Sequence, residues 1–540
     1  MILLKNTFTI ILMSLLGISV FFVLSIFLKP IPTIIGSILI SLTSIILILF
    51  IIIKLIKSKH RNTSAAITKI AILCIVSFST IVISSFNYVL NDVYKKEFNN
   101  TLLNPFQKIE SYKRLISMVS MDGLPKEVNL EEWNQNTVDN ITFYNKGSGS
   151  ETINKEILTI IRQKQPEFNH LFGDVNEKPL KIVLYDNTNE MLNNKKMIKE
   201  WNVQGFYKPL DKSIHVLLPS NAEMKESFKE TIIHEYTHYL LSIYLEELDL
   251  SYYHIPIWFN EGIAEYVEKQ QKGIPINDIS KLEYAELSKI NNISQWNDYL
   301  RDPYDPYFQS RSFISQLIRF KGTTIIQDII QNSMNQSFRQ SFKDIMNQSI
   351  SSFDKKVTSR LIEIPDMLKT ARIQRYQEND LTKSLETLKD IQAIEPNIVE
   401  VNRELSSIYR KLKNYKKAVN YGNKVIMLEP NNSEGYLQLS LIMIFVDIDK
   451  AVEISKNSIV KSNDTNVKWY KQFNKLLIDI QKGKIQGDPF SGYLELLTSE
   501  YISSKEYKID LIDKILNEYP TEHSKQKEEI ITLKKKLENE

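Results

Sequence analysis

The stretch TIIHEYTHYL, residues 231–240, places two histidines four positions apart, with a glutamate directly after the first. Residues at i and i+4 of a helix point the same way, about one turn apart. His234 and His238 would therefore bring two imidazole nitrogens to one zinc ion. Glu235 would lie beside the open coordination position, where a carboxylate can take a proton from the attacking water. The alternative is an ordinary amphipathic helix that happens to carry two histidines.

A zinc site of this kind needs a third ligand, and the stretch PIWFNEGIAEY (256–266) contains a candidate. Glu261 and Glu265 lie one helical turn apart on the same face. Glu261 would complete a set of two histidines and one glutamate, with a fourth position open for water. Glu265 would accept a hydrogen bond from the far ring nitrogen of a ligand histidine. Leu241 and Tyr244 exclude the longer pattern in which a Gly and a third histidine follow.

Together, HEYTH and WFNEGIAEY resemble the gluzincin metallopeptidases, the thermolysin-like and aminopeptidase-N-like group, and most closely the peptidase MA-like family of bacterial proteins. The stretch GFYKPLDKSIHVLLP (205–219) is similar to the strand pair that precedes the zinc helix in that family. PYFQSRSFISQLIRFKG (306–322) is similar to the helix behind the site. The resemblance covers about residues 135–330 and implies an α+β zincin-type domain that hydrolyses peptide bonds.

This resemblance implies that His234, His238 and Glu261 bind Zn²⁺ and that Glu235 is the general base. Hydrolysis also requires a group besides zinc that stabilises the tetrahedral oxyanion. The resemblance suggests Tyr307 for this role. Four other residues compete with it, although ordinary packing explains each of them better: Tyr304, Tyr253, His254 and His215.

Local patterns predict the elements around these motifs. Runs of β-branched and apolar residues predict strands at 141–145 and 179–187 and a strand pair within 204–219. Helices are expected over 96–135, 151–170 and 223–245.

Three apolar stretches near the start of the chain, 7–28, 31–53 and 70–90, are each long enough to cross a bilayer, which takes about 20 helical residues. The basic segment KLIKSKHRN (54–62) lies between the second and third stretches, so the positive-inside rule places it in the cytoplasm. We therefore expect a multi-pass protein of the cell membrane. Everything after about residue 95 would then lie outside the cytoplasm.

The last third of the chain repeats itself. IEPN (394–397) recurs as LEPN (428–431), 34 residues later, which resembles the tetratricopeptide repeat over about 371–465. Small or apolar residues recur at similar offsets: Ser384, Ala418 and Ala451, and Leu405 with Leu439. Such repeats would stack into an all-α solenoid, and a generic helical bundle is the alternative.

Composition limits the possible functions. The 540 residues carry a formal charge of only +3, so no basic face for nucleic acid is expected. The single cysteine, Cys74, excludes an intrachain disulfide and a thiolate metal cluster. We predict four parts: a membrane module (1–95), a gluzincin-like domain (96–370), repeats (371–480) and capping helices (481–540).

The sequence therefore predicts a membrane-anchored zinc metallopeptidase that acts on a peptide or protein substrate. The repeats would bind a protein partner or position the substrate. In the alternative, the peptidase-like domain is a catalytically silent scaffold and the repeats, which bind a protein partner, are the working part. The complete set of His234, Glu235, His238 and Glu261 favours the enzyme, because a silent scaffold has no chemical reason to keep the base.

Overall fold

The computed structural model describes residues 2–57, 63–97, 105, 108–109, 130–147, 150–192, 204–290, 293–462, 466–486, 488–522 and 524–539. Within these residues the chain is mostly helical and contains one small mixed sheet. Most of the predicted helix at 96–135 lies outside the described residues.

Three long helices open the chain: Ile2–Phe27, Pro30–Lys57 and Thr63–Glu97. Two of them contain apolar segments long enough to cross a membrane, Pro30–Lys54 and Ala66–Val89. The part of the first helix whose side chains are described, Leu12–Phe27, is apolar but shorter. Two helices of spanning length are thus present near the N-terminus, and the span expected at 7–28 stays a prediction.

Polar side chains join these three helices. Asn87 is fully buried, and its amide donates to the Ser25 carbonyl at 3.3 Å and to the Thr33 hydroxyl at 3.2 Å. The Ser84 hydroxyl donates to the Thr33 carbonyl at 3.1 Å. Hydrogen bonds between helices add to the packing that holds such a bundle together.

The sheet has five strands in the order β1-β2-β3-β5-β4. Their bounds are Asn134–Val138 (β1), Ile141–Asn145 (β2), Leu180–Tyr185 (β3), Gly205–Lys208 (β4) and Ser213–Leu217 (β5). β3 pairs in parallel with β2 and β5, whereas β1 and β4 are antiparallel edge strands. Ile182 and Val183 of β3 are fully buried on opposite faces, as expected for a central strand covered on both sides.

The predicted strands at 141–145, 179–187 and 204–219 correspond to β2, β3 and the β4–β5 pair. The structure adds β1, whose residues NQNTV include two that the sequence placed in a helix. This strand is polar because it lies at the edge of the sheet and is largely exposed, so it lacks the apolar alternation that marks a strand.

The middle of the chain forms helices Ser150–Phe172, Thr188–Leu192, Ala222–Glu247, Ile257–Glu268, Ile276–Ile279, Ile293–Asn297, Pro306–Lys321, Ile325–Asn332, Phe338–Met346 and Ile350–Tyr376, with 3₁₀ turns at Tyr252–His254 and Leu287–Lys289. The remaining helices are Leu381–Ile394, Val399–Lys411, Tyr415–Leu428, Ser433–Met443, Ile448–Lys461, Val467–Gln486, Pro489–Thr498, Lys505–Glu518 and Lys525–Asn539.

The chain divides into two compact units. The first comprises Met1–Glu268, Ala285–Leu300 and Pro306–Asp354, and the second comprises Lys269–Tyr284, Arg301–Asp305 and Lys355–Glu540. The second unit thus includes two short segments from the middle of the chain. The finer division into four parts stays a prediction.

Helix pairs recur in the second unit with the spacing of the sequence repeat. Asp380, Asn414 and Asp447 each cap the first helix of a pair by accepting a hydrogen bond from a backbone N–H. These caps are 34 and 33 residues apart. The small residues at the matching positions, Ser384, Ala418 and Ala451, are all buried. The side-chain N-caps therefore recur with the same spacing as the helix pairs.

Candidate metal centre

The helix Ala222–Glu247, here called the first motif helix, begins at Asn221. The Asn221 side chain accepts a hydrogen bond from the Met224 N–H at 2.9 Å. One face of this helix is apolar and buried, and it consists of Ile232, Ile233, Tyr236, Tyr239, Leu240 and Ile243. His234 and His238 consequently lie on successive turns, with ring centroids 4.7 Å apart and ring planes at 82°.

Edge strand β4 is bonded to the first motif helix through Tyr207, whose hydroxyl lies 2.6 Å from that of Ser242. Tyr207 pairs with Ile214 of β5, so these two residues lie on the face of the sheet toward the helix. The first motif helix therefore packs against β4 and β5 on this face of the sheet.

The second motif helix, Ile257–Glu268, is anchored by aromatic residues and by a close contact. The Trp258 ring packs edge-on against Phe313 at 4.8 Å. A Cβ on Gly262 would lie 2.8 Å from the Ser310 carbonyl oxygen, which is closer than side chains approach backbone. Gly262 thus allows this helix to approach the helix Pro306–Lys321 closely.

Three candidate ligand atoms meet between the two motif helices. Glu261 Oε2 lies 3.2 Å from His234 Nε2 and 3.5 Å from His238 Nε2. All three ligand atoms lie within 4.8 Å of one another, so the group could hold a metal ion. Two imidazole nitrogens and a carboxylate oxygen fit the donor preference of zinc. The structure therefore brings the three sequence-predicted ligands together.

The second ring nitrogen of each histidine is also held. His238 Nδ1 lies 2.8 Å from Asn260 Oδ1, and His234 Nδ1 lies 2.8 Å from Glu268 Oε2. Both partners belong to the second motif helix. Because these oxygens accept hydrogen bonds, they favour the proton on Nδ1 and direct both Nε2 atoms toward Glu261.

Glu268 therefore occupies the place that the sequence predicted for Glu265. The nearer oxygen of Glu265 lies 3.9 Å from His234 Nδ1, beyond hydrogen-bond distance. Glu268 follows Glu261 by seven residues, two turns on along the same face, and that spacing was visible in the sequence. Asn260 was visible too, directly before the predicted ligand.

The neighbouring charges shift the pKa values of Glu261 and His234 in the direction opposite to burial. Burial alone would raise the pKa of Glu261, but the charges and hydrogen bonds of His238 and His234 outweigh it and hold this pKa well below its usual range. Burial alone would lower the pKa of His234, but Glu261, Glu268 and then Glu235 raise it well above its usual value. Glu261 is therefore a carboxylate, ready to act as a ligand.

The predicted base and the predicted oxyanion donor both lie near this trio. Glu235 is buried, and the ring of Tyr307 lies 6.4 Å from that of His234. Burial and the charge of Glu261 raise the pKa of Tyr307 well above its usual value, and Glu235 adds to the effect. The Trp296 ring packs edge-on against the phenol ring, with their centroids 4.9 Å apart. Tyr307 is therefore a neutral, positioned hydrogen-bond donor.

A second tyrosine near Glu261 was missed by sequence reasoning. The phenol of Tyr252 is hydrogen-bonded to the Asn260 side chain, and burial together with the charge of Glu261 raises its pKa well above the usual value. No motif in the sequence singles out Tyr252, which lies in the 3₁₀ turn between the two motif helices.

The competing residues are held in other contacts. His215 hydrogen-bonds to the hydroxyls of Tyr185 and Ser213, each at 2.8 Å, on the sheet face opposite to Tyr207. His254 Nε2 lies 3.0 Å from the Ser333 hydroxyl. Tyr253 packs edge-on against Tyr252, and Tyr304 belongs to the second compact unit.

No family model matches the chain. The chain is similar to the uncharacterized protein YhcO of Bacillus subtilis (strain 168), with 25% identity over 195 residues. The match covers 34% of this chain and 58% of YhcO, so the chain spans little more than half of that relative. Because YhcO is itself uncharacterized, the similarity carries no activity over to this chain.

Proposed function

We propose that the chain is a membrane-anchored zinc metallopeptidase that hydrolyses peptide bonds in a peptide or protein substrate. The observation that carries this proposal is the meeting of His234 Nε2, His238 Nε2 and Glu261 Oε2 between two helices. Two histidines and one glutamate are the ligand set of catalytic zinc sites in which the fourth position stays open for water.

When bound at these residues, zinc supplies Lewis acidity, which lowers the pKa of water and polarises the scissile carbonyl. Glu235 takes the proton of the attacking water and delivers it to the leaving amine. Tyr307, a neutral phenol, donates a hydrogen bond to the oxygen on which negative charge develops. Glu268 and Asn260 keep the two imidazoles in the tautomer that leaves Nε2 free to bind.

We assign the first unit a gluzincin-like, zincin-type fold of the peptidase MA-like family. In support, the antiparallel β4–β5 pair is followed directly by the first motif helix, and the second motif helix carries the third candidate ligand. The helix pairs of the second unit, with caps 34 and 33 residues apart, support a tetratricopeptide-like solenoid.

The proposed protein crosses the cell membrane three times, with residues after about 95 outside the cytoplasm. The hydrogen bonds of Asn87 to the first two helices support a three-helix membrane module. Alkaline phosphatase fused after residue 540 should be active, and the same fusion within the basic segment 54–62 should be inactive. Activity of the internal fusion would reverse this orientation.

The function is tested by metal analysis of the purified full-length chain in detergent. Wild type and Glu235→Gln should each hold about one zinc per chain, and Glu261→Ala should hold far less. A peptide-library screen should find hydrolysis with the wild type alone. A folded wild type that binds no zinc would contradict the proposal, and hydrolysis by Glu235→Gln at the wild-type rate would remove Glu235 as the base.

The silent-scaffold alternative is favoured by one feature of the second unit. A cavity of about 610 Å³ lies among the repeat helices and is lined by charged side chains that include Arg375, Arg403, Glu404 and Arg410. Its volume is typical of a binding site. In a strain that needs this protein, complementation by Glu235→Gln would favour the scaffold, and failure of that variant would favour the enzyme.

A further inference from the structure

The second compact unit contains a cavity of about 500 Å³ that shares no residue with the candidate metal centre. One wall is the helix Ile350–Tyr376, here called the long helix, and the other comes from Ile276, Asn277 and Ser280. Every residue that lines the cavity belongs to the second unit, so the cavity is a feature of this unit alone. Its volume is typical of a site that holds a ligand.

One face of the long helix carries both apolar and basic groups. Residues on this face follow one another at intervals of three and four positions: Ile362, Pro365, Lys369, Arg372 and Tyr376. All of them except Ile362 line the cavity. Apolar groups therefore flank two neighbouring cations.

The apolar groups of the cavity can cover an apolar side chain of a ligand. They are Ile276, Pro365, Leu368, Ile373 and Tyr376. The Tyr376 ring is 62% exposed, and the Arg375 guanidinium lies 4.6 Å from its centroid. A side chain that enters beside this ring would remove apolar surface of both groups from water, which favours binding.

The charged groups that line the cavity are two cations, Lys369 and Arg372, and none of the described carboxylates lines it. In the described part of the chain, Lys369 forms no ion pair. Arg372 Nε donates to Glu404 Oε1 at 3.2 Å, but Glu404 also forms an ion pair with Arg375. One carboxylate thus serves two arginines, and an anionic group of a ligand would complement the remaining positive charge.

A second cavity, of about 610 Å³, adjoins the first, because Arg372 and Tyr376 line both. Two carboxylates of the second cavity, Glu400 and Glu404, already accept hydrogen bonds from the Ile276 N–H and from Arg372. An extended peptide advances about 3.3 Å per residue and can occupy both cavities at once. The adjoining volumes therefore favour a peptide over a single small molecule.

We propose that the first cavity binds an acidic peptide segment in which a large apolar side chain has a carboxylate next to it. The apolar side chain packs against Tyr376 and Ile373, and the carboxylate pairs with Lys369 and Arg372. Arginine presents its N–H groups in the planar arrangement that a carboxylate accepts. The inference goes beyond the proposed function and does not require zinc, because no candidate metal ligand takes part.

Isothermal titration calorimetry of the full-length chain in detergent tests the inference with an acetylated and amidated peptide, Ser-Glu-Phe-Glu-Ser. Every chain carries Glu235→Gln, so that the peptide stays intact if the protein is a peptidase. A glutamine peptide replaces both glutamates, and a serine peptide replaces the phenylalanine. The chain with Glu235→Gln alone, the parent chain, should bind the first peptide about tenfold more tightly than either of the others.

Lys369→Glu should weaken binding of the first peptide about tenfold, because it turns an attraction into a repulsion. Added salt should reduce the difference, since it screens exposed charges. The matched control is Lys355→Glu, the same charge reversal at an exposed position of the long helix that does not line the cavity. It should bind all three peptides as the parent chain does.

Tyr376→Ser should weaken binding of the first peptide about tenfold but leave binding of the serine peptide unchanged, because the serine peptide has no ring to lose contact with. Ile362→Ser is the matched control. It removes an apolar side chain of nearly equal exposure, 61%, from the same helix face outside the cavity. It should change the binding of neither peptide.

Equal binding of the three peptides by the parent chain would overturn the inference, and so would equal losses in Lys369→Glu and Lys355→Glu. If the parent chain binds none of the peptides but binds phosphatidylglycerol in mixed micelles, and Lys369→Glu loses that binding, an anionic lipid replaces the peptide as the ligand. All four substituted side chains are exposed, so the variants should keep the circular dichroism of the parent chain.

Discussion

Glu268 Oε2 and His234 Nδ1 lie 2.8 Å apart and join the last residue of the second motif helix to the first candidate ligand. Glu268→Ala should lower zinc affinity by about 10–100-fold, because the imidazole loses the acceptor that fixes its tautomer and orientation. Competition with a chelator of known affinity measures this loss in the full-length chain.

Glu265→Ala is the control for Glu268→Ala. The Glu265 carboxylate lies on the same helix but 3.9 Å from His234 Nδ1, so its removal should weaken zinc binding less. A larger loss in Glu265→Ala would show that the carboxylate chosen from the sequence orients His234 in the metal-bound protein.

Tyr307→Phe should lower kcat by about 10²–10³-fold if the phenol donates to the developing oxyanion. KM and zinc content should stay close to the wild-type values, because the ring and the three ligands remain. Tyr253→Phe tests one of the competing residues and should leave kcat close to the wild-type value, because the Tyr253 ring packs edge-on against Tyr252. An unchanged kcat in Tyr307→Phe would reassign the role, with Tyr252 as the next candidate.

Gly262→Ala should destabilise the first unit by about 1–3 kcal/mol, because the added methyl group overpacks the contact between two helices. The new Cβ would lie 2.8 Å from the Ser310 carbonyl oxygen and would push apart the helices that carry Glu261 and Tyr307. Chemical denaturation, followed by tryptophan fluorescence, measures the loss.

The matched control for Gly262→Ala is Gly435→Ala, also inside a helix. The nearest heavy atoms to a Cβ there are side-chain methyl groups at 3.4 Å, an ordinary contact. Alanine should therefore be tolerated, or should stabilise its helix by up to about 1 kcal/mol. Equal effects of both variants would show that helix propensity, rather than the close approach, explains the result for Gly262.

The ligand trio could be predicted from the sequence because its spacing is local. His234 and His238 share one helix face by helical periodicity alone, and Glu261 lies within a short stretch that begins after a proline. β2, β3 and the β4–β5 pair carry strong apolar patterns. The polar strand β1 carries none, so the sequence could not distinguish it from a helix or a loop.

The choice between Glu265 and Glu268 could not be made from spacing, since both lie on the face of Glu261. It depends on how the two motif helices cross, and therefore on tertiary contacts such as those of Trp258 with Phe313 and of Gly262 with Ser310.

The buried carboxyl group of Asp354, far from the motif residues in sequence, predicts how the stability of the fold depends on pH. Asp354 is 4% exposed and accepts hydrogen bonds from the Leu287 N–H and the Gln309 amide, each at 3.0 Å. The Gln309 side chain in turn bonds to both backbone groups of Ala285. Burial outweighs these bonds and raises the pKa of Asp354 from 3.8 to about 6.

Because the folded pKa is above the unfolded value, the folded state binds this proton more tightly. The stability from this group is fully present below pH 3.8 and is lost as the pH rises through about 6. The loss amounts to at most about 3 kcal/mol. Wild type should therefore lose stability relative to Asp354→Asn between pH 4 and pH 7, in urea titrations of both chains. If the difference in the free energy of unfolding between wild type and Asp354→Asn stays constant over this range, Asp354 titrates at its ordinary pKa.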